Sequence, residues 1–137
     1  MQRRRGNSNV DFLPSLVKPK KFIDTVEKLT IYVDKKNDLL GLVLTHAHED
    51  HIGAIAHIWP KIKCKIFSTP FTAVLIKEKF KEKKIDLGNN LKIIDLNGTV
   101  KLDPFKIEFI TLTHSILEPN GLRIETPAGI ILHTGDW

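Results

Sequence analysis

Four ligand-type residues, His46, His48, Asp50 and His51, fall within six consecutive positions of the stretch His46-Ala47-His48-Glu49-Asp50-His51. His46 and His48 are two apart, so a chain that is extended here points both imidazoles to one side, where they can grip one metal ion. Asp50 and His51 follow where the chain bends. They can aim a hard carboxylate and another imidazole at a neighbouring ion, in keeping with the about 3.5–4 Å separation of two-metal sites. Gly53 allows the tight turn. A histidine on its own is most often a polar loop residue, but this density of ligand types directly after an apolar run reads as half of a two-metal hydrolase site.

Two ions need more than four ligands and a water, so partners are expected elsewhere. His114 follows the strand-like run Phe105 to Thr113, and Asp136 lies in His133-Thr134-Gly135-Asp136 after the run Ile130 to Thr134. The glycine permits close backbone approach, and a carboxylate can bridge two cations. Each residue follows a strand end, where ligand sites collect in layered α/β folds. His57 has no partner spacing and reads as structural or exposed. His133 falls inside the strand and reads as a core residue or a support for a ligand.

The elements that must position these residues follow from periodicity. Leu39 to Leu44 is an almost unbroken apolar run, the pattern of a strand covered on both faces, and it delivers the chain to Thr45-His46. Ile52 to Ile58 fits a short helix that Pro60 ends, and Lys65 to Ser68 fits the next strand. Pro70 starts the clearest helix, with Phe71, Val74, Leu75 and Phe80 at helical spacing, five lysines elsewhere on it, and Gly88 closing it. Strand-like segments follow at Leu91–Leu96, Val100–Leu102, Phe105–Thr113, Leu122–Thr126 and Ile130–Thr134, with hairpin-type turns at Asn97-Gly98 and Pro127-Ala128-Gly129. Upstream, Pro19 can open a helix through Phe22, Ile23 and Val26, Ile31-Tyr32-Val33 is strand-like, and Asp34 to Asp38 is a turn. Strand, loop, helix, strand is a βαβ rhythm, so the fold class is α/β.

At 137 residues with 42% hydrophobic content, the chain suits one domain of modest core. Residues 1–19 read as an irregular basic segment and 20–137 as the domain. The net charge of +5 permits an anionic partner without identifying one, and Arg3, Arg4 and Arg5 read as a solvated arm. A single cysteine, Cys64, excludes an internal disulfide and suits a reducing, cytoplasmic setting. No run of 18 apolar residues occurs, so membrane insertion is not expected.

Thr45-His46-Ala47-His48-Glu49-Asp50-His51-Ile52-Gly53 resembles the HxHxDH signature of the metallo-β-lactamase fold. Thr113-His114-Ser115-Ile116 with His133-Thr134-Gly135-Asp136 resembles its ribonuclease J branch, as does the interval from His114 to Asp136 (136 − 114 = 22 residues). Ser68-Thr69-Pro70-Phe71-Thr72 is similar to that branch's strand-to-helix segment, and the likeness runs from Asp38 to Trp137. The resemblance implies part of an αββα sandwich of the four-layer α+β type. It implies that His46, His48 and His114 hold one zinc, that Asp50 and His51 hold a second, and that Asp136 bridges them, with manganese as the alternative metal. The implied activity is RNA phosphodiester hydrolysis by a shared hydroxide, 5′ to 3′ with endonucleolytic cuts, and Asp50 orienting the nucleophile or taking its proton. RNA is the implied partner; the residues that would bind it are not identified.

The family's opening glycine-rich strands are not recognisable in Met1 to Pro19. Its inserted β-CASP domain, a further metal-binding histidine and the second half-sandwich would follow Asp136. The expectation is therefore a fragment, with a weaker second metal position and an incomplete sheet whose exposed apolar faces favour self-association. An inactive metal-binding module is the competing reading. A glyoxalase II-like thioesterase of the same fold would share the first motif but not the contexts of His114 and Asp136.

Overall fold

A computed structural model describes residues 39–136. The irregular segment 1–19, the helix expected from Pro19, the strand at Ile31-Tyr32-Val33 and the turn ending at Asp38 lie outside the described residues. From Leu39 onward the order is β1 (Leu42–Val43), α1 (Glu49–Ile52), α2 (Ile55–Ile62), β2 (Ile66–Ser68) and α3 (Pro70–Glu82), then a 3₁₀ turn at Gly88–Asn90. Strands β3 (Leu91–Ile93), β4 (Thr99–Leu102), β5 (Phe105–Thr111), β6 (Asn120–Thr126) and β7 (Gly129–His133) complete it.

The first three strands form a parallel sheet in the order β1-β2-β3, and the other four form an antiparallel sheet in the order β4-β5-β6-β7. Period-two alternation divides the parallel sheet between two cores. Ile66 turns to the helices, packing with Leu44, Ile55, Trp59, Ile76 and Phe80. Its neighbour Phe67 turns the other way, onto Ile107, Phe109 and Leu122 of the antiparallel sheet. The result is a layered α/β sandwich in which helices, parallel sheet and antiparallel sheet stack in turn. Among the described residues no helix is long and apolar enough to cross a membrane.

The far face of the antiparallel sheet carries Arg123 paired with Glu108 and Glu125. Edge strand β7 exposes Ile130, Ile131 and Leu132 at 63%, 55% and 64%. The register places Ile131 opposite Ile124 on the core-facing side of the sheet, so the inter-sheet core stops short at this edge.

Several boundaries differ from the sequence reading. Leu39 and Leu40 are exposed, and β1 is limited to two residues because its neighbour β2 is only three long. Pro60 lies inside α2 rather than ending it, because one missing donor costs less than the packing of the final turn. There, Trp59 stacks edge-on against Phe80 and donates its indole N–H to the Cys64 carbonyl at 2.8 Å. Helix α3 stops at Glu82, six residues before Gly88. Lys84 takes the left-handed position (φ 54°) and Ile85 N–H closes on the Phe80 carbonyl at 3.0 Å, a Schellman-type stop.

The buried stripe of α3 is Thr72, Ala73, Ile76 and Phe80, with Phe71 and Leu75 half-buried against the same core, while Val74 falls off that face and is 57% exposed. Asn97-Gly98 is a turn but not a hairpin, since β3 and β4 belong to different sheets. The tight hairpins are at Asp103-Pro104 and Pro127-Ala128.

Candidate metal centre

The end of β1 is where the site begins. Leu44 N–H bonds the Phe67 carbonyl at 2.9 Å, which fixes β1 against β2 and delivers Thr45 and His46 into the interior, 7% and 0% exposed. His48 is still extended (φ −62°, ψ 147°), so the two imidazoles lie on one side with ring centroids 5.0 Å apart. The chain then winds into α1, and Asp50 and His51 fall on this turn. A Cβ at Gly53 would lie 2.5 Å from the Glu49 carbonyl, so the turn requires glycine.

The antiparallel sheet brings the other two residues. His114 stands in the connection after β5, and Asp136 in the turn after β7. The structure thus gathers all six sequence-predicted residues. Potential ligand atoms of His46, His48, His114 and Asp136 lie within 4.8 Å of one another, and so do those of Asp50, His51 and Asp136. Asp136 belongs to both groups. Its Oδ2 is 2.9 Å from His51 Nε2, 3.7 Å from His46 Nε2 and 4.0 Å from His114 Nε2. His114 Nε2 in turn lies 3.2 Å from His48 Nδ1.

Two observations fit this cluster to a cation. His46 Nε2 is buried with no hydrogen-bond partner, an arrangement that costs free energy unless something electrophilic meets it. Its other nitrogen, Nδ1, lies 3.0 Å from Thr45 Oγ1. With the proton on Nδ1 and donated to that hydroxyl, the Nε2 lone pair faces the cluster.

Electrostatics point the same way. Burial, reinforced by the charge of His51, lowers the His46 pKa to about 4, so this ring is neutral at pH 7. Burial pushes Asp136 upward but is outweighed by the hydrogen bond and positive charge of His51, and the carboxylate ends below its ordinary value. Both shifts make acid destabilising in the absence of metal. Below pH 6.5 the unfolded chain takes up a proton at His46 that the folded chain refuses until about pH 4. The stability that ring contributes is present in full above pH 6.5 and drains away over that window, by an amount on the order of 3 kcal/mol. Denaturant midpoints of metal-free protein at pH 7.5 and 4.5 check this; equal midpoints would contradict it.

His57 is exposed on α2 and lies outside both groups. His133 is half-buried and supports the site indirectly, its Nδ1 accepting the Gly135 N–H at 3.1 Å. Sequence reasoning missed Asn120, 1% exposed, and Glu118, whose carboxylate accepts the Phe71 N–H at the start of α3 at 2.8 Å. The dipeptide Asn120-Gly121 has the composition of an exposed turn, so it gave no signal of a buried position.

The family model of the metallo-beta-lactamase superfamily matches residues 11–136, and the chain belongs to that superfamily. Among curated proteins it is 33% identical over 109 residues to ribonuclease J of Sinorhizobium meliloti, covering 80% of this chain and 19% of that protein. It is 38% identical over 103 residues to ribonuclease J of Helicobacter pylori (74% and 15%) and 43% identical over 99 residues to that of Corynebacterium glutamicum (70% and 13%). The chain therefore spans about a fifth or less of the length of these relatives.

Among solved structures it is similar to Igni18, a metallo hydrolase from Ignicoccus hospitalis. The TM-score is 0.52 at 28% identity, over 70% of this chain and 41% of that one. The metallo-beta-lactamase fold protein YhfI of Bacillus subtilis gives a TM-score of 0.57 at 22% identity over 81% and 46%, a likeness of fold.

Proposed function

We propose that this chain is the metal-binding part of an RNA phosphodiester hydrolase of the ribonuclease J type. The observation that carries the reading is the convergence of His46, His48, His114 and Asp136 with a second group sharing Asp136, in a chain whose relatives are named ribonuclease J.

In this reading His46, His48 and His114 would hold one zinc, Asp50 and His51 would hold a second, and Asp136 would contribute to both, with manganese as the alternative. When bound, such ions lower the pKa of water from 15.7 to about 7 and neutralise charge developing on phosphorus oxygens. The chain's own residues set that chemistry up. Thr45 fixes the His46 ring, His51 Nε2 keeps the Asp136 carboxylate ionised and in place until a cation takes up both side chains, and the Asp50 side chain, 66% exposed, is open to accept a proton from the nucleophile. The two positions bind unequally, because one has four donors and a buried histidine while the other has three donors and an exposed aspartate. RNA is the partner and the cytoplasm the setting; the lone buried cysteine, Cys64, suits a reducing compartment. Exposed apolar β7 is what supports self-association.

The test sets 5′-monophosphorylated RNA against a thioester, with zinc or manganese added and then removed by a chelator. Metal-dependent cleavage of RNA alone is expected. Thioester hydrolysis, or RNA cleavage indifferent to the chelator, would overturn the reading. Metal uptake without turnover would assign this chain to metal binding only.

A further inference from the structure

The segments bearing the candidate ligands come from distant parts of the chain, and one buried residue touches three of them. Asn120, at the first position of β6, donates its main-chain N–H to the Thr45 carbonyl at 3.1 Å and its Nδ2 to the same carbonyl at 2.9 Å. A carbonyl oxygen has two lone pairs, so it can accept both, and it belongs to the residue immediately before His46. The same Nδ2 donates to the Glu118 carbonyl at 2.7 Å, gripping the connection that carries His114. That connection is closed beside it by Leu112 N–H on the Pro119 carbonyl at 2.9 Å. On the third side, Gly135 packs so closely that a Cβ there would lie 2.5 Å from the Asn120 carbonyl oxygen. Asp136 is the next residue.

The chemistry of this contact is specific to an amide. Both partners of the side chain are carbonyl oxygens, so the nitrogen must face them, and a carboxylate of the same shape would set negative oxygen against two oxygens. Packing alone does not call for asparagine either. Its Oδ1 is buried without a partner, which costs stability that an apolar residue of similar size would avoid.

We infer that Asn120 is a positioning residue that sets the His46, His114 and Asp136 segments in register with one another. This rests on the metal-centre reading for its functional meaning but not for its geometry, so two measurements separate them. The first is amide hydrogen exchange of the full, metal-free chain over residues 45–48, 112–119 and 134–136. The second is zinc affinity by chelator competition.

Asn120→Asp reverses the polarity at constant shape. Asn120→Ser is small enough to be accommodated and decides the matter should the aspartate variant fail to fold. Ile107→Val, in the inter-sheet core, serves as the control for general loosening. In both Asn120 variants exchange is expected to rise about tenfold or more in all three segments together, with zinc affinity down about 10–100-fold, the usual cost of losing a residue that orients ligands. The control is expected to move neither selectively. Faster exchange confined to residues around 120, or a zinc affinity falling no further than in the control, would overturn the inference. A parent chain that takes up no zinc would sink the metal-centre reading, while the exchange pattern would still decide whether Asn120 couples the three segments.

Discussion

His46→Ala is expected to reduce zinc affinity by well over about a hundredfold, more than the loss of a residue that merely orients a ligand costs. The expectation rests on the position of the ring. His46 is fully buried, its Nε2 has no partner in the protein, and its neighbours in the cluster are His48, His51, His114 and Asp136. An exposed ligand can be replaced by water at modest cost. A buried one holds its lone pair at a fixed point, which a water entering the gap does not reproduce. His57→Ala, on exposed α2, is the matched control and should keep the parent affinity. Competition against a chromophoric chelator reads both; an affinity for the His46 variant within threefold of the parent would remove this histidine from the site.

Gly135→Ala is the second change of large effect, and it reaches the site through the backbone. Gly135 has φ 62°, in the left-handed region, and its missing Cβ would stand 2.5 Å from the Asn120 carbonyl, with no flexible side chain to yield. The conformation alone costs about 1–2 kcal/mol for a residue with a Cβ, and relieving the clash must displace the chain next to Asp136. Gly129 offers the comparison. It has φ 141° but nothing within 4 Å of a Cβ, so Gly129→Ala carries strain without a collision. Thermal unfolding should show both variants destabilised, Gly135→Ala more so. Zinc affinity should fall only in Gly135→Ala; parent-like affinity there would show that Asp136 does not depend on this turn.

The parts of the site legible in the sequence were those encoded over short distances. His46 to His51 lie within one strand end and one helical turn, so spacing alone predicted which side chains share a side. His114 and Asp136 were legible through a weaker signal, a ligand type directly after a strand-like run, and the sheet register brings both to the cluster. What local pattern could not supply was decided by neighbours. The stripe of α3 was read from its large residues, and Phe71, Leu75 and Phe80 do pack on the core, but the small Thr72 and Ala73 are buried with them while Val74 turns to solvent. Asn97-Gly98 has hairpin chemistry, but its flanking strands joined different sheets, a choice no dipeptide contains. Asn120 stayed hidden for a related reason: its partners, Thr45 and Gly135, are 75 and 15 positions away.

That gathering of ligands from both sheets gives the proposed ion a mechanical role. His46 and His48 leave the parallel sheet, while His114 and Asp136 leave the antiparallel one. A cation held by all four would fasten position 46 to position 136, 90 positions along the chain (136 − 46 = 90), and act as a reversible staple across the inter-sheet seam. Constraining so long a loop removes freedom mainly from the unfolded chain, as a disulfide does. The protein's hold on its metal and the metal's hold on the protein would then be one free energy, and a chelator would loosen the seam between the sheets as it emptied the site.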